Sequence, residues 1–328
     1  MAPSRGGMRL TRLFVWVFWV GVVVSGVSVV SGQTFPSKPI RIVTANAGGG
    51  ADFAARLIAR GLSSRLGQQA VVENRGGSAT IPVETVAKAP PDGYTLLLYS
   101  NSMWTLPLIQ SVPYDPVRNF VPITLAVSTP NVLVVHPSVP VKSVKELIAF
   151  SKSKPGQLNY ASTVTGTSSH LSGELFKAMA GVDIVRVNYK GAGPALNDLL
   201  AGQVQMMFAA AASAVPHLKS ERLRGLAITS RQPSALAPGL PTLAASGLPE
   251  YEAVTIYAMF APAGTPSALV NRLSQEVVQY LSRTDIKEKF FNIGVETVGS
   301  SPEQLGTTVK SEMTRLGKLI KDAGIHAD

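Results

Sequence analysis

Short apolar runs typical of β-strands alternate with amphipathic helical stretches along most of this chain, and this alternation constrains the fold more than any other feature. The first predicted strand, 40–45, leads through the glycines at 48–50 into a helix, and strands at 70–73 and 94–99 follow with a second helix between them. Strand–helix–strand units join parallel strands by a crossover helix. The rhythm therefore predicts a parallel sheet with helices on its faces.

A second set of strands and helices begins after Pro130. Residues 33–328, 296 of the 328, are many for one doubly wound sheet, so we predict an α/β fold of two lobes with a hinged cleft between them. Ligands of such sheets bind beyond the carboxyl ends of the strands. The predicted first lobe combines residues 33–130 and 253–328, the second covers 131–252, and the hinge crossings lie at 128–131 and 250–255.

The N-terminal 32 residues have the pattern of a signal peptide. Three arginines precede an almost continuous apolar run at 13–30, and Val30-Ser31-Gly32 places small side chains at the spacing that signal peptidase requires. We predict cleavage after Gly32 and export of the remaining chain. An uncleaved membrane anchor is the alternative, since an apolar run of 18 residues can span a bilayer.

Charge and cysteine content narrow the function classes. The chain carries a formal charge of +10, which falls to +7 when the three arginines of residues 1–32 are removed. The remaining Lys and Arg residues are spread along the sequence and no recognition motif for DNA occurs, so a nucleic-acid partner is not expected. With no cysteine, the chain lacks disulfides, thiol catalysis and Cys-based metal sites.

Enzymatic motifs are incomplete. No Gly-x-Ser-x-Gly nucleophile elbow and no phosphate-binding loop of nucleotide hydrolases occurs, and the four histidines have no metal-ligand spacing. Gly48 and Gly50 begin a dinucleotide-binding pattern with Glu73 at a suitable distance, but Phe53 replaces its third glycine. We expect no cofactor, no metal and no catalysis. An exported α/β enzyme, either a dinucleotide-dependent enzyme or a hydrolase, is the alternative function.

Two predicted helix N-termini indicate a binding site for anions. Residues 46–52 combine a glycine turn with a helix start, and residues 163–170 combine a helix start with several hydroxyl side chains. Free amides at such ends bind carboxylates without lysine or arginine. Each segment alone also fits an ordinary turn or N-cap, and His170 alone fits a structural histidine.

Short segments in a fixed order resemble the Bug-type receptors, the substrate-binding proteins of tripartite tricarboxylate transporters. They span essentially the whole chain after residue 32, and the ordered set is far more specific than any one piece. They include Pro36-Ser37-Lys38-Pro39-Ile40-Arg41, Gly48-Gly49-Gly50-Ala51-Asp52, Val71-Val72-Glu73-Asn74-Arg75, Pro91-Asp92-Gly93-Tyr94, Ser169-His170-Leu171 and Phe260-Ala261-Pro262-Ala263-Gly264-Thr265-Pro266.

This resemblance implies a two-lobed periplasmic-binding-protein fold, type II-like, that closes on a small carboxylate and delivers it to membrane permease subunits. It further implies a periplasmic location, and we expect a monomer. Carried over position by position, together with polar residues that follow strands, it predicts these ligand-binding residues: Asn46, Gly48, Gly49, Gly50, Asp52, Asn101, Ser102, Ser162, Thr163, Thr167, Ser168, His170 and Ala209.

Departures from the family pattern bear on the ligand. Ala209 stands where relatives carry an acid, so an ammonium group would lose its counter-charge, and amino acids are disfavoured. Ala45 stands where relatives carry an aromatic residue, and the smaller side chain leaves extra volume in the cleft. We expect Met103 and Trp104 to offer a polarizable surface to an apolar ligand body in that volume. The predicted ligand is a carboxylate without an ammonium group: a dicarboxylate, either aromatic or of medium aliphatic length.

Overall fold

Ten strands and ten α-helices follow one another in the computed structural model, which describes residues 1–2, 35–45, 47–48, 50–76, 78–163, 165–322 and 324–325. The strands are β1 (Ile40–Thr44), β2 (Ala70–Asn74), β3 (Thr95–Ser100), β4 (Phe120–Val135), β5 (Asn159–Ser162), β6 (Val185–Asn188), β7 (Met206–Ala210), β8 (Arg224–Ile228), β9 (Val254–Pro262) and β10 (Glu296–Thr297). The helices are α1 (Gly50–Leu66), α2 (Ile81–Ala87), α3 (Ser102–Thr105), α4 (Val144–Ser153), α5 (Ser168–Ala180), α6 (Ala192–Leu200), α7 (Ala211–Lys219), α8 (Ser267–Leu281), α9 (Thr284–Phe291) and α10 (Pro302–Asp322). The predicted cleavage site after Gly32 lies outside the described residues.

The strands form two sheets that share β4. In the first sheet, β2, β1 and β3 are parallel, and β9 joins β3 to β4 through antiparallel pairing. In the second, the end of β4 pairs antiparallel with both β7 and β8, and β7, β5 and β6 are parallel. The predicted two-lobed α/β fold is confirmed, although each sheet is mixed and not purely parallel as expected.

The two strands at the predicted hinge run side by side. β4 is continuous through Ser128–Pro130, where it pairs with β9 at Ile256, Thr255 and Val254. The sequence predicts a strand only over 132–136, after Pro130. Pro122 lies at a register shift of the β4–β9 pair. The lobe boundaries themselves remain a prediction.

Helix α10 packs on both lobes. Leu305 and Val309, in its first half, belong to an apolar cluster with β3 and β9 of the first sheet. Leu316, Leu319 and Ile320, in its second half, belong to a cluster with β4, β7 and α5 of the second. The helix therefore spans the junction between the two sheets. None of the described helices is long and apolar enough to cross a membrane.

Candidate functional site

A cleft of about 810 Å³ opens where the two sheets meet. The loops after β1, β3 and β5 reach it, as the strand-end rule predicts, and α10 forms part of its wall. Its lining is rich in small and hydroxyl-bearing residues, with a few charged side chains from distant segments. The polar and aromatic lining residues are Ser78, Tyr99, Ser100, Asn101, Ser102, Thr105, Gln110, Asn131, Thr163, Thr165, Thr167, Ser168, Ser169, Phe208, Glu252, Thr255, Tyr257, Glu312 and Arg315.

Asp52 anchors the loop between β1 and α1. Its carboxylate accepts hydrogen bonds from the Gly48 backbone N–H at 2.9 Å, from Arg56 Nε at 3.0 Å and from Asn74 Nδ2 at 2.8 Å. Burial acts to raise the pKa of Asp52, but the hydrogen bonds from Arg56, Gly48 and Asn74 outweigh it and hold the pKa below its ordinary value. Asp52 is therefore a buried anion that fixes the glycine loop, and it does not line the cleft.

Gly50 begins α1 beneath a tyrosine from β9. A Cβ atom at this position would lie 2.4 Å from the Tyr257 hydroxyl oxygen, so the close approach of the two segments requires glycine. Both residues line the cleft. Burial raises the pKa of Tyr257, which keeps its hydroxyl in the neutral form.

The opposite wall is a loop of hydroxyl side chains between β5 and α5. Thr163 Oγ1 lies 2.9 Å from Thr167 Oγ1 and 3.0 Å from Ser169 Oγ. The guanidinium of Arg186, on β6, holds this loop from behind through Ser162 Oγ at 2.7 Å and Thr165 Oγ1 at 3.0 Å. The hydroxyl groups are thus positioned by a cation that does not itself line the cleft.

The first turn of α5 faces this hydroxyl cluster. Thr167 is its N-cap residue, and Thr167 Oγ1 lies 3.3 Å from Ser169 Oγ in that turn. The first amides of an α-helix have no partner within the helix. Ser168 Oγ accepts a hydrogen bond of 2.7 Å from Asn131 Nδ2, which ties the turn to β4. His170 is buried and its Nδ1 accepts from the Gly166 N–H at 3.1 Å, consistent with a structural histidine.

Charged side chains from α10 form one end of the cleft. Glu312 is buried, and its Oε2 accepts a hydrogen bond of 2.7 Å from Trp104 Nε1. Burial raises the pKa of Glu312, even though the bonds from Trp104 and Asn101 and the charge of Arg315 act in the opposite direction. Asn101 also donates through Nδ2 to the Val254 carbonyl at 3.0 Å, linking the β3 loop to the start of β9.

The predicted site residues divide into three groups. Those that line the cleft are Gly50, Asn101, Ser102, Thr163, Thr167 and Ser168. Asp52, Ser162, His170 and Ala209 are buried behind the lining, and Gly48 is exposed but does not line the cleft. Asn46 and Gly49 lie outside the described residues. Contact of any of them with a ligand remains a prediction.

Two further expectations about the cleft need correction. Met103 and Trp104 are fully buried and do not line it, because Trp104 packs edge-on against Phe260 in the core. The aromatic surface comes instead from Tyr99 and Tyr257. Ala209 is packed in an apolar cluster of the second sheet, and the next residue, Ala210, lines the cleft.

Sequence reasoning missed the lining residues that come from distant parts of the chain. Asn131, Glu252, Tyr257, Glu312 and Arg315 belong to no local motif. One signal was present: Glu312 lies between Val309 and Leu316 on the apolar face of α10, where an acid is out of place unless it has a buried partner. Among the described residues, no group of three or more His, Asp or Glu side chains could hold a metal ion.

Comparisons with known proteins identify relatives of the chain. Residues 54–325 match the sequence profile of the family described as "Tripartite tricarboxylate transporter family receptor". Protein BugT of Bordetella pertussis is 35% identical over 97% of this chain and 99% of its own length.

Solved structures of bacterial binding proteins share the fold. The structure described as R. palustris Rpa4515 with adipate is 36% identical and superposes with a TM-score of 0.74 over 90% of this chain and 100% of that one. MatC from Rhodopseudomonas palustris with bound malate is 28% identical, with a TM-score of 0.69 over 87% of this chain and 100% of that one. At 36% and 28% identity, the similarity to these two structures includes the amino-acid sequence as well as the fold.

Proposed function

Because the chain belongs to the tripartite tricarboxylate transporter receptor family, as its resemblance to Bug-type proteins predicts, we propose that it captures a small carboxylate in the cleft between its two sheets. The bound solute is then delivered to the membrane permease of a transporter of that type. The family is one of receptors and not of enzymes, and the proposed activity is reversible binding by a monomer. Two relatives bind dicarboxylates, adipate in one case and malate in the other.

The observation that carries this proposal is the hydroxyl wall at the start of α5. Thr163, Thr167 and Ser169 form one cluster of oxygens, and the helix behind them presents amide N–H groups and the positive end of its dipole. A carboxylate placed there gains several donors without a neutralising lysine. Gly50, Asn101 and Ser102 contribute donors from the facing loops.

Residues behind the lining act by positioning. Asp52 holds the turn at Gly48, Ser162 receives the Arg186 guanidinium, and His170 fixes Gly166. Asn46 and Gly49 complete the same glycine loop in the sequence.

The proposed ligand is a dicarboxylate without an ammonium group, either aliphatic or aromatic. The absence of an acid at Ala209 does not mean that the cleft lacks acids, since Glu252 and Glu312 line it, but both already have partners. Glu312 accepts from Trp104, and Glu252 lies 3.6 Å from Arg231 Nε. An ammonium would have to compete with these contacts. Tyr99 and Tyr257 supply the surface against which an apolar ligand body would pack.

Closure of the cleft is the proposed signal to the permease. The predicted hinge crossings are 128–131 and 250–255, and residues 128–130 of β4 pair antiparallel with 254–256 of β9, so a twist of this ribbon would bring the two walls together. Small-angle scattering with and without saturating ligand checks this: the radius of gyration is expected to fall, and an unchanged radius contradicts closure.

Export and removal of residues 1–32 belong to the same proposal, since a receptor of this kind works outside the cytoplasm. The intact mass of protein recovered from the periplasm is expected to correspond to a chain that begins at Gln33. A mass that still contains Trp16 and Trp19 contradicts cleavage.

A thermal-shift panel tests the proposed function. Linear diacids from succinate to suberate, the phthalate isomers, amino acids and neutral sugars are compared at equal concentration. A ligand present at about 100 times its dissociation constant stabilises the folded state by roughly 2.7 kcal/mol, which raises the midpoint by a few degrees. A panel in which amino acids or sugars raise the midpoint and no carboxylate does would overturn the proposal.

A paired variant places the site. The Thr167→Ala, Ser168→Ala double variant removes two hydroxyl donors and should weaken carboxylate binding about 10-fold or more, because hydrogen bonds to charged groups contribute roughly 1.5–3 kcal/mol each. The matched control is Ser138→Ala, which removes an exposed hydroxyl bonded to His136 outside the cleft. Equal affinity of the double variant and the control would show that the ligand binds elsewhere.

A further inference from the structure

Arg315 is a cation that lines the cleft with unused hydrogen-bonding capacity. Its NH1 nitrogen is buried and makes no hydrogen bond to any residue that the structure describes. A guanidinium carries five N–H donors in a planar fork. A buried donor left without a partner is costly. Because the Arg315 side chain borders the cleft, a ligand in the cleft is in position to supply an acceptor to this guanidinium.

Two acids that line the same cleft have other hydrogen-bond or ion-pair partners, although the charge of Arg315 also acts on Glu312. Glu312, one helical turn before it, accepts from Trp104 Nε1 at 2.7 Å, and burial favours its neutral form. Glu252 pairs with Arg231 at 3.6 Å. Arg315 therefore retains positive charge that no neighbouring carboxylate fully satisfies.

Arg315 lies apart from the hydroxyl wall in both sequence and fold. It belongs to α10, whereas Thr163, Thr167 and Ser168 belong to the loop and first turn that follow β5. All four residues border the same cleft. The cleft thus has two sets of donors with different chemistry: neutral hydroxyls and amides at one site, and a guanidinium at another.

From this arrangement we infer that Arg315 binds the second carboxylate of a dicarboxylate whose first carboxylate lies at the hydroxyl wall. This assignment rests on the proposed function and makes Arg315 the residue that selects diacids over monoacids. The planar guanidinium fork matches two carboxylate oxygens at once. A monoacid would leave the buried nitrogen without an acceptor, so its binding forgoes that contribution.

The test compares one diacid with its own half-ester. The linear diacid that binds most tightly in the range from succinate to suberate is titrated by calorimetry alongside its monomethyl ester, which keeps the first carboxylate and removes the second charge. Wild-type protein is expected to prefer the diacid by about 10-fold or more, the factor that corresponds to one hydrogen bond to a charged group. Arg315→Met should abolish that preference by weakening the diacid alone.

Two further variants separate the effect of the guanidinium shape from the effect of net charge. Arg315→Lys keeps the charge but loses the fork, and an intermediate preference is expected. Lys310→Met removes a positive charge from the exposed face of the same helix and serves as the control for net charge, with the preference unchanged. Unchanged half-ester affinity of Arg315→Met shows at the same time that the variant is folded.

Each outcome decides a different point. A preference that survives in Arg315→Met, or an equal loss of affinity for diacid and half-ester, overturns the assignment of Arg315 and leaves the proposed function standing. Wild-type protein that binds neither a linear diacid nor a phthalate isomer overturns this inference, and wild-type protein that binds no carboxylate at all overturns the proposed function as well. The Thr167→Ala, Ser168→Ala variant should weaken both ligands equally, since both carry the first carboxylate.

Discussion

The hydrogen bond between Trp104 and Glu312 predicts a measurable coupling energy. Trp104→Phe keeps an aromatic ring in the core but removes the indole N–H that lies 2.7 Å from Glu312 Oε2. Loss of a hydrogen bond to a charged group costs roughly 1.5–3 kcal/mol, against about 0.5–1.5 kcal/mol for a neutral partner. The ring also loses packing volume, so the total loss of unfolding free energy exceeds the hydrogen-bond contribution.

A double-mutant cycle with Glu312→Met, which removes the acceptor oxygens, isolates that contribution, and Glu312→Gln serves below as the reference that does not titrate. The packing loss of Trp104→Phe occurs in both backgrounds and cancels, which leaves the energy of the pair. Unfolding in urea is followed by circular dichroism, since Trp104→Phe removes the one tryptophan that lies after residue 32. A coupling below about 0.5 kcal/mol at every pH would refute the interaction, because that is the error with which independent sites add.

The pH dependence of this cycle has a definite sign. Burial raises the folded-state pKa of Glu312 above its unfolded value near 4.5. Such a group contributes stability below the unfolded value and loses it as the pH rises through the folded-state value. Wild-type stability relative to Glu312→Gln should therefore fall as the pH is raised above 4.5. Trp104→Phe should steepen the fall, because the charged carboxylate then lacks its donor.

Other predictions concern the loops that border the cleft. Asp52→Asn should lower the free energy of unfolding by roughly 1–3 kcal/mol at neutral pH, as for loss of hydrogen bonds to a buried charge. Because the pKa of Asp52 is lowered below 3.8, the stability that its carboxylate contributes is present above that value and is lost as the pH falls. The difference in urea midpoint between variant and wild type should therefore shrink in acid. Gly50→Ala places a methyl group 2.4 Å from the Tyr257 hydroxyl and should lower the free energy of unfolding by roughly 1–3 kcal/mol, the usual cost of overpacking. Adding Tyr257→Phe should recover part of that loss, and a Gly50→Ala protein as stable as wild type would contradict the close approach. Addition of a carboxylate that binds should alter the fluorescence of Trp104 through its bond to Glu312, and an unchanged spectrum at saturation would count against a ligand beside α10.

Local pattern was sufficient for much of the fold. Helix α4 lies where the spacing of its apolar residues predicts, and Ser143 caps it by accepting from the Glu146 N–H. The predicted strand at 132–136 is too short, because residues 120–130 also pair with β9, with Pro122 at a register shift of that pair. The sequence does not predict helix α9 as a separate element, because residues 284–291 begin only two residues after the end of α8 and no glycine or proline marks the boundary.

The site was predictable only where chain neighbours build it. The hydroxyl loop is contiguous in sequence, so Thr163, Thr167 and Ser168 could be nominated from spacing and resemblance. Glu312 and Arg315 border the same cleft as this loop only because α10 packs on both sheets, and such long-range packing is not encoded in any local motif. The expectation that Trp104 borders the cleft is wrong, because the sequence does not reveal which face of the short helix α3 packs into the core.

The sharing of the first sheet between both ends of the chain sets the order in which the protein can fold. Strand β3 pairs on one side with β1 and on the other with β9, which begins only at Val254. The cluster around β3 is completed by Leu305 and Val309 of α10, close to the C-terminus. During synthesis the early strands must therefore remain with an open apolar edge until nearly the whole chain has been made. Such late closure, with its high contact order, slows folding and leaves apolar surface exposed for longer.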